Sequence, residues 1–87
     1  MSEEYSRIMG NVALAEIINS LKAGEKKVSD IVEDLKKTSP TGIPQLVVEL
    51  YLWSLQQSGY VQAKGSGPTA TYTLTDKWRE LEGKASK

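Results

Sequence analysis

At Gly59 the hydrophobic period of this sequence changes, and that change limits the possible folds more than any other feature. Before it, apolar residues recur at helical intervals: Val48, Leu52 and Leu55 make one stripe, with Val47 and Tyr51 beside it. After it, Tyr60-Val61-Gln62-Ala63-Lys64 and Ala70-Thr71-Tyr72-Thr73-Leu74 alternate as strands do. Between them lies Gly65-Ser66-Gly67-Pro68-Thr69, a loop of turn-forming residues. A helix, a glycine able to leave it in a left-handed conformation, and a hairpin must therefore follow one another directly.

Upstream, the same reasoning gives two more helices. Ile8, Val12, Ala15 and Ile18 share a face, flanked by Leu14, Ile17 and Leu21, which predicts a first helix over 7–23 closed by Gly24, with Lys22 in its last turn. Ser29-Asp30 reads as the cap and first-turn acid of a short second helix that carries Ile31, Val32 and Leu35 and ends at Lys36-Lys37. Residues 38–44 are turn chemistry. Pro44 has no N–H to donate, so it fits the first turn of a third helix predicted over 43–58, with Thr41 as its cap. Thr75 or Asp76 caps a last turn or two over 77–82, and 1–6 and 83–87 read as polar tails. The expected architecture is α+β and mainly helical: one domain over 1–87, its ordered core spanning 7–82, with three helices, a two-stranded wing and a short C-terminal helix.

Composition narrows the chemistry. A chain of 87 residues has a thin core, because a domain of that size buries only about 60–65% of its unfolded surface. It has no cysteine and no histidine, which removes thiolate ligands and the commonest general base and metal ligand. The adjacent acids Glu3/Glu4 and Glu33/Asp34 point apart on a tail or helix. The segment 65–68 lacks the helix and lysine of a phosphate-binding loop. No catalysis, cofactor, metal or small-molecule substrate is therefore expected. Glu3 and Glu4 stand where a signal peptide carries positive charge, and the longest apolar stretch, 46–55, is interrupted by Glu49 and Ser54. The expectation is a cytoplasmic protein with no membrane partner.

Three stretches resemble a known family. Leu52-x-x-Leu55-x-x-x-Gly59-Tyr60-Val61 resembles the join between recognition helix and wing in MarR-like and PadR-like prokaryotic transcriptional regulators. Tyr72-Thr73-Leu74-Thr75-Asp76-Lys77 resembles their exit from the wing, and Val28-Ser29-Asp30-Ile31 their entry into the second helix. The resemblance covers roughly residues 8–82, except that Lys77 or Trp78 stands near the place of the family's glycine. It implies a winged helix-turn-helix that binds double-stranded DNA as a homodimer, with the third helix in the major groove and the wing on backbone or minor groove. By the resemblance Thr41, Gly42, Gln45, Leu46 and Glu49 are the outward positions at the start of the third helix, with Leu50 and Trp53 further along. Gln45 can read adenine, and Thr41 with the first amides can hold a phosphate. Lys64, Ser66 and Thr69 would be the wing contacts. Lys26, Lys27, Lys36 and Lys37 can flank a phosphate path.

The charge pattern argues the other way. Eleven basic residues balance 11 acidic ones, and Glu25, Asp30, Glu33 and Asp34 interleave with the lysines. The third helix carries no Lys or Arg, and its Glu49 repels phosphate. That helix is also apolar around most of its circumference, more than a thin domain can bury. An apolar surface covered by a second copy follows, with Leu50 and Trp53 at its centre and Met9, Ala13 and Ile17 of the first helix contributing. Bland alternatives stand beside each site: a core helix with a polar cap, a solvated hairpin loop, a mixed charged surface, a monomer with Leu50 or Trp53 partly exposed. Two functions remain open. One is a small DNA-binding regulator, from a prokaryote or mobile element, acting through helix 43–58 and wing 62–71. The other is a winged-helix interaction or assembly module that does not bind DNA.

Overall fold

The helical pattern ahead of Gly24 is broken once more than its periodicity indicates. The computed structural model, which describes residues 3–38 and 42–85, has α1 (Glu3–Met9) and α2 (Val12–Lys22) where one helix was expected. Gly10 makes the corner: its N–H donates to the Ser6 carbonyl at 2.8 Å, and a Cβ there would stand 2.8 Å from the same oxygen. Asn11 then restarts the chain as a helix cap, its Oδ1 accepting from the Leu14 amide at 3.1 Å. The break resets the helical phase. Val12, expected on the core face with Ile8, is 74% exposed, while Leu14, Ile17, Ile18 and Leu21 form the buried face. Residues 3–6, read as tail, belong to α1.

The remaining elements are β1 (Lys26–Lys27), α3 (Val28–Thr38), α4 (Gln45–Gln57), β2 (Val61–Lys64), β3 (Thr71–Leu74) and α5 (Asp76–Ala85). This is the mainly helical α+β architecture that the pattern predicts, with two additions. The wing is β2 paired antiparallel with β3, Val61 opposite Leu74 and Lys64 opposite Thr71. A third strand, β1, pairs with the free edge of β3, Lys26 opposite Tyr72 and Lys27 opposite Thr71. Two residues are too few to show alternation, so β1 has no sequence signature. The other addition is α5, which runs past the expected 77–82.

The exit from α4 follows the glycine rule. Gly59 has φ +84°, its amide donates to the Gln56 carbonyl at 3.0 Å, and the Tyr60 amide donates to the Leu55 carbonyl at 2.9 Å. These two bonds satisfy carbonyls that the helix end would otherwise leave open. Thr75 locks the returning strand to this corner. Its amide donates to the Tyr60 carbonyl at 3.0 Å, and its hydroxyl donates to the Gly59 carbonyl at 2.6 Å. The same hydroxyl oxygen accepts from the Trp78 amide at 3.4 Å, which caps α5.

One apolar cluster joins the helices and the sheet. Ile17, Ile18, Ile31, Val48 and Leu52 have no exposed surface, and neither has Trp78. Trp78 stacks on Tyr5 of α1 at 5.6 Å and meets Tyr60 edge-on at 5.7 Å. The Tyr5–Trp78 stack is one contact that joins α1 to α5. No helix among the described residues is long and apolar enough to cross a membrane.

Candidate nucleic-acid interface

The placement of β1 decides where the wing lies. Because Lys27 pairs with Thr71 and Val28 then begins α3, the wing is tied directly to the first turn of that helix. The buried Ile31 and Leu35 of α3 and Val48 and Leu52 of α4 set the two helices against each other. The result is a groove of about 590 Å³ with three walls: Val28 and Ser29 from α3, Gln45 and Glu49 from α4, and Gly67, Pro68 and Tyr72 from the wing. Gln45, an exposed position of α4, is thus brought beside the wing. Ser66 and Thr69 are exposed at the wing tip, where the Thr69 hydroxyl donates to the Ser66 carbonyl at 3.4 Å. Val28, Ser29, Pro68 and Tyr72 were not singled out from the sequence as site residues. Ser29 was read only as a cap, and α3 in fact begins one residue earlier.

The lysines divide into two classes. Lys26 is committed to the interior: its ammonium is held by the Asp34 carboxylate and donates to the Ser20 hydroxyl at 3.3 Å, with only 21% of its side chain exposed. Ser20 in turn donates to Asp34 at 2.8 Å. Hydrogen bonds from Lys26 and then Ser20 hold the Asp34 carboxyl below the usual carboxylate range, against the opposing pull of burial. Lys26 is therefore a strut joining α2, β1 and α3, which corrects its assignment to a phosphate path. Its half-burial was invisible because β1 was. Lys36, Lys37 and Lys64 sit in solvent, beside Glu33 at 3.3 Å, Asp34 at 4.0 Å and Glu25 at 3.6 Å respectively. Exposed pairs of this kind hold by about 0–1 kcal/mol, so each lysine can exchange its partner for a phosphate. Lys27 is exposed and has no ion-pair partner among the described residues. It stands immediately before the groove residue Val28.

Gly42 has φ +69° at the entry to α4, packed near the stem of Lys36, and Thr41 lies outside the described residues. Ile17 is completely buried within its own chain and cannot face a partner, because the phase reset at Gly10 turns it inward. Met9 and Ala13 are half-buried, Met9 against the core. On α4, by contrast, Leu46, Leu50 and Trp53 are 66%, 59% and 62% exposed. Among the described residues no group of three or more acidic side chains can hold a metal ion.

No protein-family model and no curated protein matches this chain. Solved structures do match in fold. The chain superposes on diamide-treated YodB from B. subtilis with a TM-score of 0.75 and 26% identity, over 93% of this chain and 78% of that one. A possible transcriptional regulator for arsenical resistance gives a TM-score of 0.71 at 16% identity, over 92% and 78%. A candidate transcriptional regulator of the MarR family from Enterococcus faecalis gives 0.66 at 24% identity, over 99% and 81%. The chain has the winged-helix fold of these solved structures.

Proposed function

We propose that this protein is a small cytoplasmic transcriptional regulator, not an enzyme, that contacts duplex DNA through the groove between α3, α4 and the wing. The observation that carries this reading is the convergence of Gln45, Ser29 and the wing tip on one groove, with the unpaired Lys27 at its edge. Gln45 supplies a base-edge donor and acceptor. Lys27 and Lys64, with Ser66 and Thr69, supply backbone contacts, while Lys36, Lys37 and Gly42 lie at the turn into α4 and can meet a second stretch of phosphates. The fold neighbours named as regulators support the reading.

The charge is thin, and this sets its test. If Lys27 and Lys64 make the main phosphate contacts, affinity for random-sequence duplex falls by only about tenfold between 50 and 200 mM salt. Fluorescence anisotropy with a labelled duplex should find that shallow slope, and Lys27→Glu should weaken binding more than Lys26→Ala. Absence of binding even at low salt would overturn the reading. A second reading, an interaction or assembly module, is favoured by the exposed apolar face of α4.

A further inference from the structure

Glu49 is the groove residue that fits phosphate contact worst. It lines the groove with Gln45, one turn away on α4, and both side chains are exposed. The fully buried Val48 and Leu52 fix the rotation of α4, which keeps the pair on the groove side. Neither residue has a hydrogen-bond or ion-pair partner among the described residues, and no Lys or Arg is among the groove-lining residues. An ionised carboxylate accepts hydrogen bonds and cannot donate them, and its charge opposes phosphate. A duplex that enters this groove must therefore bring a donor to Glu49, or bind with that charge desolvated and unmet.

We propose that Glu49 is a specificity-determining residue that selects cytosine, with adenine at Gln45 close by; this rests on the DNA reading above. The major-groove edges of the bases decide the assignment. Guanine offers the acceptors N7 and O6, and thymine the acceptor O4 beside a methyl group, so neither gives a carboxylate a donor. Adenine sets its N6 donor next to the N7 acceptor, which suits an amide that can both donate and accept, the side chain of Gln45. The cytosine amino group is a donor with no acceptor beside it on the same base edge, which suits Glu49. Residues four apart on a helix have Cβ atoms about 5–6 Å apart, and bases rise by about 3.4 Å per step, so the two contacts fall about two steps apart when α4 lies along the groove. The scarcity of positive charge then has a use. With few phosphate contacts and a carboxylate set against the wrong bases, discrimination comes from repulsion at mismatched sites.

Selection from a random-sequence duplex library, with sequencing of the bound fraction, tests the assignment. The wild type should enrich sites that hold a cytosine and an adenine at a fixed spacing. Glu49→Gln should change the cytosine position to adenine and leave the other adenine in place. Gln45→Ala should release the adenine position and keep the cytosine. Fluorescence anisotropy on the selected duplex isolates the Glu49 contact. In a paired N4-methylcytosine the methyl group takes the groove side of the amino group, so this base should weaken wild-type binding by about tenfold. Glu49→Ala should bind the methylated and unmethylated duplexes alike, and should bind random duplex more tightly than the wild type does. Far-UV circular dichroism checks that each variant is folded, which the exposure of both residues predicts. A cytosine preference that survives Glu49→Ala, or a wild type indifferent to the methyl group, overturns the assignment. Binding with no base preference at either position overturns it too, and leaves the DNA reading standing. If no duplex is bound even at low salt, the DNA reading fails and the assignment with it.

Discussion

The two tryptophans mark two regions that treat apolar surface in opposite ways. At the corner where α4 leaves for the wing, Trp78 has no exposed surface and is enclosed by Tyr5 and Tyr60. On the outer face of α4, Trp53 is 62% exposed with Leu46 and Leu50 beside it. Residue type does not separate them. What separates them is backbone geometry: Gly59, Thr75 and the first turn of α5 fold three elements around Trp78, whereas none of the described residues returns over the outer face of α4. The corner is where this fold closes on itself, and the outer face is where it stays open.

The sharpest way to break that contrast is to truncate both side chains. Trp78→Ala removes a wholly buried aromatic and should cost about 3–5 kcal/mol, a large share of the stability of so small a fold. Trp53→Ala should stay within about 0.5 kcal/mol, measured on dilute, monomeric protein. Urea unfolding followed by circular dichroism gives both numbers. Similar losses at the two sites would mean that Trp53 is held by its own chain, and the open face would lose its meaning.

How far the sequence could be read follows the same division. The corner was legible, because a left-handed glycine is a common way to end a helix, and Gly59 stands where the period switches from helix to strand. The order of helices and the β2–β3 wing followed from periodicity together with the cap and turn residues between the periodic stretches. Two features did not. The corner between α1 and α2 depends on Gly10 and the Asn11 cap, one turn of local bonding that interrupts no apolar pattern. Because Ile8, Val12 and Ile18 kept helical spacing across it, Val12 was placed inside and Ile17 at a surface, the reverse of what is found. β1 was hidden because two residues make no period, and with it went the tether of the wing to α3 and the burial of Lys26. For the site, residue types were readable but their company was not. Gln45 was singled out as an outward position, while Ser29, Pro68 and Tyr72 come to it only through β1. That α4 carries more apolar surface than the chain can bury was readable by counting, and Leu50 and Trp53 are where the excess lies.

Glycines sharpen the comparison at a smaller scale. At Gly59 any side chain must adopt φ near +84° and meets the Lys77 stem at 3.2 Å, so Gly59→Ala should cost about 1–2 kcal/mol. The lysine stem can move aside; the backbone cannot. Gly83, within α5, has no neighbouring atom within 4 Å of an added Cβ, so Gly83→Ala should stabilise the protein by up to about 1 kcal/mol. A stabilising Gly59→Ala would mean that α4 can leave by another route and that the corner is not fixed by its backbone.

The smallest effect concerns the strut between α2, β1 and α3. Asp34 titrates below its ordinary value of 3.8 in the folded protein, because Lys26 and Ser20 donate hydrogen bonds to the charged carboxylate. A depressed folded value means that the unfolded chain takes up the proton first. The contribution to stability is therefore complete above the ordinary value and disappears as pH falls through the lower, folded one. With 31% of the Asp34 side chain exposed, solvent screens the pair and the effect stays modest. Asn in place of Asp34 can still accept from the Ser20 hydroxyl but carries no charge to lose. Asp34→Asn should thus be less stable than wild type near neutral pH, with the difference shrinking as the pH drops below about 4. Denaturant midpoints of the two proteins across that range give the answer. A difference that does not change with pH would assign the strut to hydrogen bonding alone. It would also remove the electrostatic reason for leaving Lys26 out of the proposed DNA contact while Lys27, its neighbour in the same strand, is included in it.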